Sequence, residues 1–206
     1  SLELIVRYGF GVTVITKSDR ILRDLPLLQK INEKTKCVVQ MTLTTYDEGM
    51  CRNIEPNVST TKRRFEVLKQ LRDAGIPTIV WLTPILPFVN DTRDNLSGIL
   101  ELCIEANVYG ILCFGMGLTL RDGNREYFYA QLDRLFPHLK ETYMQTYKNQ
   151  YWIESPYHQD LMRLFEQTCQ KAGIVHNNEQ IFQYLHTFEE KDAARQLSLW
   201  DIGLSM

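Results

Sequence analysis

The chain has 206 residues, 44% of them apolar and 23% charged, with a formal net charge of −2. That length and balance allow one domain with an appendage and a sizeable buried core. The near-neutral charge gives no positive field to gather phosphate backbones, so nucleic acid is not favoured as a partner. No apolar run approaches the roughly 20 residues a membrane helix needs.

In chain order, Leu4-Ile5-Val6 followed by Tyr8-Gly9-Phe10 reads as the last turn of a helix with a glycine stop. A start inside an element implies a parent longer on its amino-terminal side, with Ser1-Leu2 as a cloning remnant. Val12-Thr13-Val14-Ile15 is the first strand, tipped by Thr16-Lys17-Ser18. Asp19 then caps a helix carrying Ile21, Leu22, Leu25, Leu28 and Ile31 at helical spacing, with Pro26 near its first turn. Cys37-Val38-Val39-Gln40-Met41 is a second strand, tipped by Thr42-Leu43-Thr44-Thr45, and a short helix or loop after it stops at Glu55-Pro56. From Ser59 or Thr60 an amphipathic helix runs to Ala74-Gly75 and leads through Ile76-Pro77 into the strand Thr78–Leu82. That crossover makes its flanking strands parallel. Its Lys62-Arg63-Arg64 cluster reads as a solvated turn.

The tip Thr83-Pro84-Ile85-Leu86-Pro87 is stiff and long, 94–106 is helical, and Gly110–Phe114 is a fourth strand. Beyond Gly123 the alternation is expected to stop, giving helices over 124–146, 155–172 and 177–195 and a tail at Leu197-Ser198-Leu199-Trp200. The fold class is therefore α/β: a partial (β/α) TIM-like barrel fragment with about four parallel strands over 1–123, plus a helical carboxyl-terminal extension over 124–206 packed on it. Such repeats place the strand tips on one rim, where α/β proteins bind ligands.

The five cysteines are scattered and never spaced Cys-x-x-Cys, which suggests a reducing cytoplasm. The four histidines show no metal spacing. At the tips, Lys17 can hold a carboxylate or phosphate, form a Schiff base, or simply pair with Glu55 or Asp19. Thr42 and Thr44 alternate onto one face, where their hydroxyls can meet one ligand, although threonine is also a good strand former. Glu55 is a candidate site carboxylate, and the prolines around Ile85 and Leu86 fix a backbone suited to a flat ring.

Thr16-Lys17-Ser18-Asp19-Arg20, Arg23-Asp24, Thr42-Leu43-Thr44-Thr45, Glu55-Pro56, Arg64, Ala74-Gly75-Ile76, Pro84-Ile85-Leu86-Pro87 and Asn90-Asp91, then Tyr147, Ser155-Pro156 and Ala172-Gly173-Ile174, form an ordered series. The series resembles the radical S-adenosylmethionine (radical SAM) proteins related to spore photoproduct lyase, often labelled DNA repair photolyase. The resemblance implies a partial barrel in which a [4Fe-4S] cluster binds S-adenosylmethionine and cleaves it to a 5'-deoxyadenosyl radical that abstracts hydrogen from substrate. It assigns the nucleotide to Thr16, Lys17, Ser18, Thr42, Thr44, Pro84, Ile85 and Leu86, with Lys17 and Thr42 at the methionine or ribose part and Ile85 near adenine. The family usually has serine at the Thr42 position. Its Cys-x3-Cys-x2-Cys motif is absent, so the cluster is not expected to bind this chain. On this reading two leading βα units are missing, the fragment is inactive alone, and its open sheet edge favours self-association. Two other readings stand beside it: an aldolase-like enzyme using Lys17 as a Schiff base, and a non-catalytic α/β module binding a protein through Tyr147, Tyr151, Trp152 and Tyr157.

Overall fold

The computed structural model describes residues 1–188. Its elements run α1 (Leu2–Tyr8), β1 (Val12–Thr16), a 3₁₀ turn (Asp19–Asp24), α2 (Leu25–Lys34), β2 (Cys37–Thr42), α3 (Glu48–Ile54), α4 (Thr61–Asp73), β3 (Thr78–Trp81), α5 (Arg93–Glu105), β4 (Gly110–Leu112), β5 (Gly117–Thr119), α6 (Asn124–Leu135), α7 (Leu139–Tyr147), β6 (Trp152–Glu154), α8 (His158–Ala172) and α9 (Asn178–His186). The chain is an α/β protein with one four-stranded parallel sheet in the order β1-β2-β3-β4. Each new strand joins the same side as the last. This is the winding of a (β/α) barrel, since an open doubly wound sheet reverses its strand order at a switch point.

Local chemistry explains the boundaries. Gly9 takes the left-handed conformation that ends α1, at φ 69°. Ser18, not Asp19, caps the next element, accepting a hydrogen bond from the Arg20 backbone, and the segment forms a 3₁₀ turn before α2 begins at Leu25. Thr60 is the residue before α4, and α3 stops ahead of Glu55-Pro56 as the proline requires.

The carboxyl-terminal half departs from expectation in three places. The helix expected over 124–146 breaks at Phe136-Pro137-His138, because proline cannot continue the turn and His138 takes a positive φ of 77°. The connection after Tyr147 contains β6, which pairs antiparallel with β5 in a small second sheet. A side chain on Gly117 would meet the Ile153 carbonyl at 2.1 Å, so glycine is what lets these two strands approach. The alternation also resumes. Helix α8 packs on α5, and Val175 makes a parallel bridge to Gly110, adding to the sheet beyond β4. Residues 117–154 are thus an excursion within a crossover whose returning helix is α8. The stretch of the expected third helix after 188 and the tail Leu197–Trp200 lie outside the described residues.

Strand alternation divides the sheet into two faces. Val39, Met41, Val80, Ile111 and Cys113 face one way and join Leu28, Leu68, Ile99 and Phe165 in the main core. Val38, Ile79 and Leu112 face the other way, where Ile181 and Leu185 of α9 cover them. Nearer the rim this second face is less covered: Ile15 is 57% exposed, and Trp81 and Phe114 pack together with ring centroids 5.8 Å apart.

Within this four-stranded sheet β1 is an edge, with Thr13 and Ile15 exposed. Such an edge pairs readily with another chain. Sedimentation or light scattering is expected to show concentration-dependent self-association of this chain, weakened by Ile15→Lys, whereas a monomer at high concentration contradicts that.

Candidate functional site

The carboxyl ends of the four parallel strands bring Thr16-Lys17-Ser18, Thr42-Leu43-Thr44, Thr83-Pro84 and Cys113-Phe114 to one rim. The β1–β2 ladder ends at Thr16↔Met41, so Lys17 follows at the β1 tip while Thr42 closes β2. Alternation places Thr42 on the face that carries Gln40. Trp81 is the partner of Thr42 on β3, so these two side chains share one row of the sheet. A hydrogen-bonded chain runs beneath them: the Trp81 indole donates to Gln40 Oε1 at 2.7 Å, and Gln40 Nε2 donates to the Thr13 hydroxyl at 2.6 Å.

The rim is held by one carboxylate. Glu55 Oε1 accepts from Lys17 Nζ at 2.5 Å, and Glu55 Oε2 accepts from Arg64 Nη2 at 2.7 Å. The Arg64 guanidinium is fully buried and also donates to the Ser59 carbonyl at 2.6 Å and the Thr42 carbonyl at 2.9 Å. The expected solvated basic turn is therefore wrong for Arg64. It lies on the inward side of the first turn of α4, and three acceptors compensate its burial. Arg63 does remain at the surface, pairing with Asp19 at 2.8 Å.

The side chain of Glu55 is 11% exposed and that of Lys17 is 39% exposed. Burial would push the Glu55 carboxyl upward, but the hydrogen bond from Lys17 and the charges of Arg64 and Lys17 outweigh it and hold the group below its ordinary value of 4.5. Asp91 is the opposite case. It is buried in the rim loop, its carboxylate accepts from the Ser155 hydroxyl at 2.5 Å, and burial pushes its pKa above the ordinary carboxylate value.

Thr42, Thr44 and Thr45 are all buried. The Thr44 carbonyl accepts from Asn90 at 2.9 Å and from Asn95 at 3.0 Å, and Thr45 Oγ1 accepts from Asn90 at 3.1 Å. The hydroxyls of Thr42 and Thr44 take part in none of these bonds. Thr16 and Ser18 are occupied locally, each hydroxyl accepting from a backbone amide two residues on. The side chains of Ile85 and Leu86 are buried. Ile85 sits in the main core at 2% exposure and Leu86 in a second core at 9%, while Pro84 is the exposed member of the three. Their apolar side chains turn inward, and their amides are taken by the Gly117 carbonyl and by Asn90 Oδ1.

Asn95 and Tyr143 escaped the sequence reading, which held Asn90 only as a member of the motif series. Asn90 and Asn95 tie the β2 tip to the β3 loop, and Tyr143 donates to the Pro87 carbonyl while its ring meets Phe88 edge-on at 5.7 Å. Trp81 was legible in principle, because it is the one ring in the apolar run Thr78–Leu82 that leads to the Thr83-Pro84 tip. All five cysteines are buried and unbridged, and burial raises Cys37 to about 12 and Cys113 to about 11. Among the described residues no group of three His, Cys, Asp or Glu side chains could hold a metal ion, and a [4Fe-4S] cluster finds no set of thiolates among them. No helix among the described residues is long and apolar enough to cross a membrane.

No family model matches the chain. An uncharacterized protein of Mycobacterium tuberculosis is 28% identical over 153 residues, covering 74% of this chain and 44% of that protein. An uncharacterized protein of Acidianus two-tailed virus is 29% identical over 133 residues, 64% of this chain and 43% of that protein. One from Methanocaldococcus jannaschii is 30% identical over 82 residues, 40% of this chain and 30% of that protein. The chain spans less than half the length of these relatives. Among solved structures it is similar to Streptococcus suis SuiB bound to S-adenosylmethionine, with TM-score 0.41 and 14% identity over 70% of this chain and 31% of that one. It is also similar to a Bacillus subtilis HMG-CoA lyase, with TM-score 0.33 and 13% identity over 83% and 74%. Both TM-scores lie below 0.5, and nothing about function is drawn from either.

Removing one partner of a buried ion pair strands the other charge, so Arg64→Ala is expected to cost about 3–5 kcal/mol in chemical denaturation, and Arg64→Met with Glu55→Met markedly less than the sum of the single changes. A loss below about 1 kcal/mol for Arg64→Ala contradicts this assignment. Because the folded value of Glu55 is depressed, its contribution is fully present above pH 4.5 and is lost as pH falls through the lower folded value. Acid unfolding of Glu55→Gln is therefore expected to be flatter below pH 4.5 than that of the parent chain, and identical slopes contradict it.

Proposed function

We propose that this chain is the nucleotide-holding part of a radical S-adenosylmethionine enzyme whose cluster-binding residues lie outside it. The observation that carries the reading is that Lys17 and Thr42 follow at the tips of adjacent strands and are tied together through Glu55 and Arg64. The ordered motif series from Thr16 to Ile174 supports it.

The rim residues suit S-adenosylmethionine chemically. Lys17 offers a half-exposed ammonium for the methionine carboxylate, and the hydroxyls of Thr42 and Thr44 offer donors and acceptors for the amino-acid arm or the ribose. Pro84 is the exposed apolar surface left for the adenine side. When bound and reduced in a complete enzyme, the nucleotide supplies a 5'-deoxyadenosyl radical that abstracts hydrogen from substrate. The work of this chain is to bind and orient. Glu55 holds the Lys17 ammonium at the rim, Arg64 locks Glu55 to the β2 tip, and the Asn90–Asn95 pair fixes the two loops that flank the nucleotide.

The Schiff-base reading is disfavoured by the same geometry. A nucleophilic lysine needs a desolvated amine beside apolar or cationic groups, whereas Lys17 is half-exposed and engaged by a carboxylate. The adaptor reading loses Tyr147, which is buried, while Tyr151 and Tyr157 remain exposed.

Isothermal titration of the chain with S-adenosylmethionine is expected to give saturable binding, weakened about tenfold or more by Lys17→Ala, as befits the loss of a charge-assisted hydrogen bond. Thr42→Val is expected to weaken it several-fold. No binding, or unchanged binding in Lys17→Ala, contradicts the proposal. The full-length protein, reconstituted anaerobically with iron and sulfide, is expected to turn brown and release 5'-deoxyadenosine with a reductant. A colourless protein with no nucleoside product contradicts the radical reading.

A further inference from the structure

The segment Ile54-Glu55-Pro56 has two sides. Glu55 turns toward Lys17 and Arg64, while Ile54 and Pro56 line a separate cavity of about 140 Å³ between α3 and α6. Its other walls include Leu86 from the rim loop and Phe128, Leu132 and Phe136 from the excursion. Asn53, Gln131 and Arg134 stand on its polar side, and the Arg134 guanidinium donates to Gln131 Oε1 at 2.8 Å and 3.1 Å.

We infer that this cavity binds a single-ring apolar group of the enzyme's substrate. Size carries the first step, since an apolar protein cavity of about 150 Å³ takes up benzene. Chemistry carries the second: Ile54, Pro56, Leu86, Phe128, Leu132 and Phe136 make most of the wall apolar, and burial there favours an apolar group over an unpaired polar one. Position carries the third. The excursion over residues 117–154 interrupts a crossover that a short connection would close, and long insertions of this kind serve binding. It brings its apolar face to the far side of the segment that carries the site carboxylate, so a ring held there lies against the same backbone that positions Lys17. Leu86, expected beside the nucleotide, is one of the walls of this cavity.

The assignment of the ring to a substrate rests on the nucleotide reading, but the binding does not, and the two are separated by probing them with different molecules. Toluene is the probe for the cavity and naphthalene the oversized control. Toluene at tenfold excess over its Kd is expected to raise the melting temperature by about 3–6 °C, with naphthalene giving no comparable shift. Asn53→Trp and, independently, Gln131→Trp should abolish the response by filling the cavity mouth, while Lys17→Ala should retain it. The inference is overturned by an absent toluene shift, by an equal naphthalene shift, or by a response that survives in folded Asn53→Trp and Gln131→Trp proteins. If toluene binds in this manner while S-adenosylmethionine does not, the cavity stands and the nucleotide reading falls.

Discussion

A single carboxylate organises this rim. Glu55 is nearly buried, and it is tolerable there because each of its oxygens meets a cation, Lys17 on one side and Arg64 on the other. The arrangement is asymmetric. Arg64 is wholly withdrawn from water and spends its donors on Glu55, Thr42 and Ser59, whereas Lys17 keeps a share of its ammonium at the surface. Desolvation costs on the buried side are offset by geometry and by several hydrogen bonds at once, the condition under which a buried ion pair is held rather than avoided. The half-exposed member is then presented at a fixed place instead of sampling the many rotamers of a free lysine.

Around that anchor the structure invests in rigidity. Asn90 accepts from the Leu86 amide and donates to Thr44 and Thr45, and Asn95 donates to the carbonyls of Thr44 and Asn90 while accepting from the Tyr46 amide. Phe88 holds a positive φ of 61°, uncommon for a side chain of its size, within a cage of Tyr143 and Tyr147. The excursion between β5 and β6 supplies these tyrosines. It braces the rim from outside the sheet and at the same time forms the wall of the neighbouring cavity.

Much of the parallel half was legible because its signals are local. Apolar runs such as Cys37–Met41 end at threonines, Gly9 and Gly75 end helices, and Pro56 ends another, so periodicity and breakers located the strands and their tips. The excursion was less legible. Three-residue strands such as Trp152–Glu154 have no periodicity to detect, and their pairing with Gly117–Thr119 depends on contacts more than 30 residues apart. At the site, the spacing of Lys17, Thr42 and Glu55 revealed candidates but not their wiring. The Glu55 partner of Lys17 was foreseeable as one of two carboxylates, but the burial of Arg64 was hidden, because its neighbours Lys62 and Arg63 make the segment look solvated. For Ile85 and Leu86 the motif gave the position of the loop but not the packing of their side chains into the core.

In the proposed function the half-exposed ammonium of Lys17 receives the amino-acid arm of the nucleotide. The most direct measurement compares the affinities of S-adenosylhomocysteine, which keeps that arm, and 5'-methylthioadenosine, which lacks it, for the parent chain and for Lys17→Met. The parent chain should prefer the arm-bearing ligand by about tenfold or more, and Lys17→Met should bind the two alike. Equal affinities in the parent chain, or a preference that survives in Lys17→Met, would contradict the account.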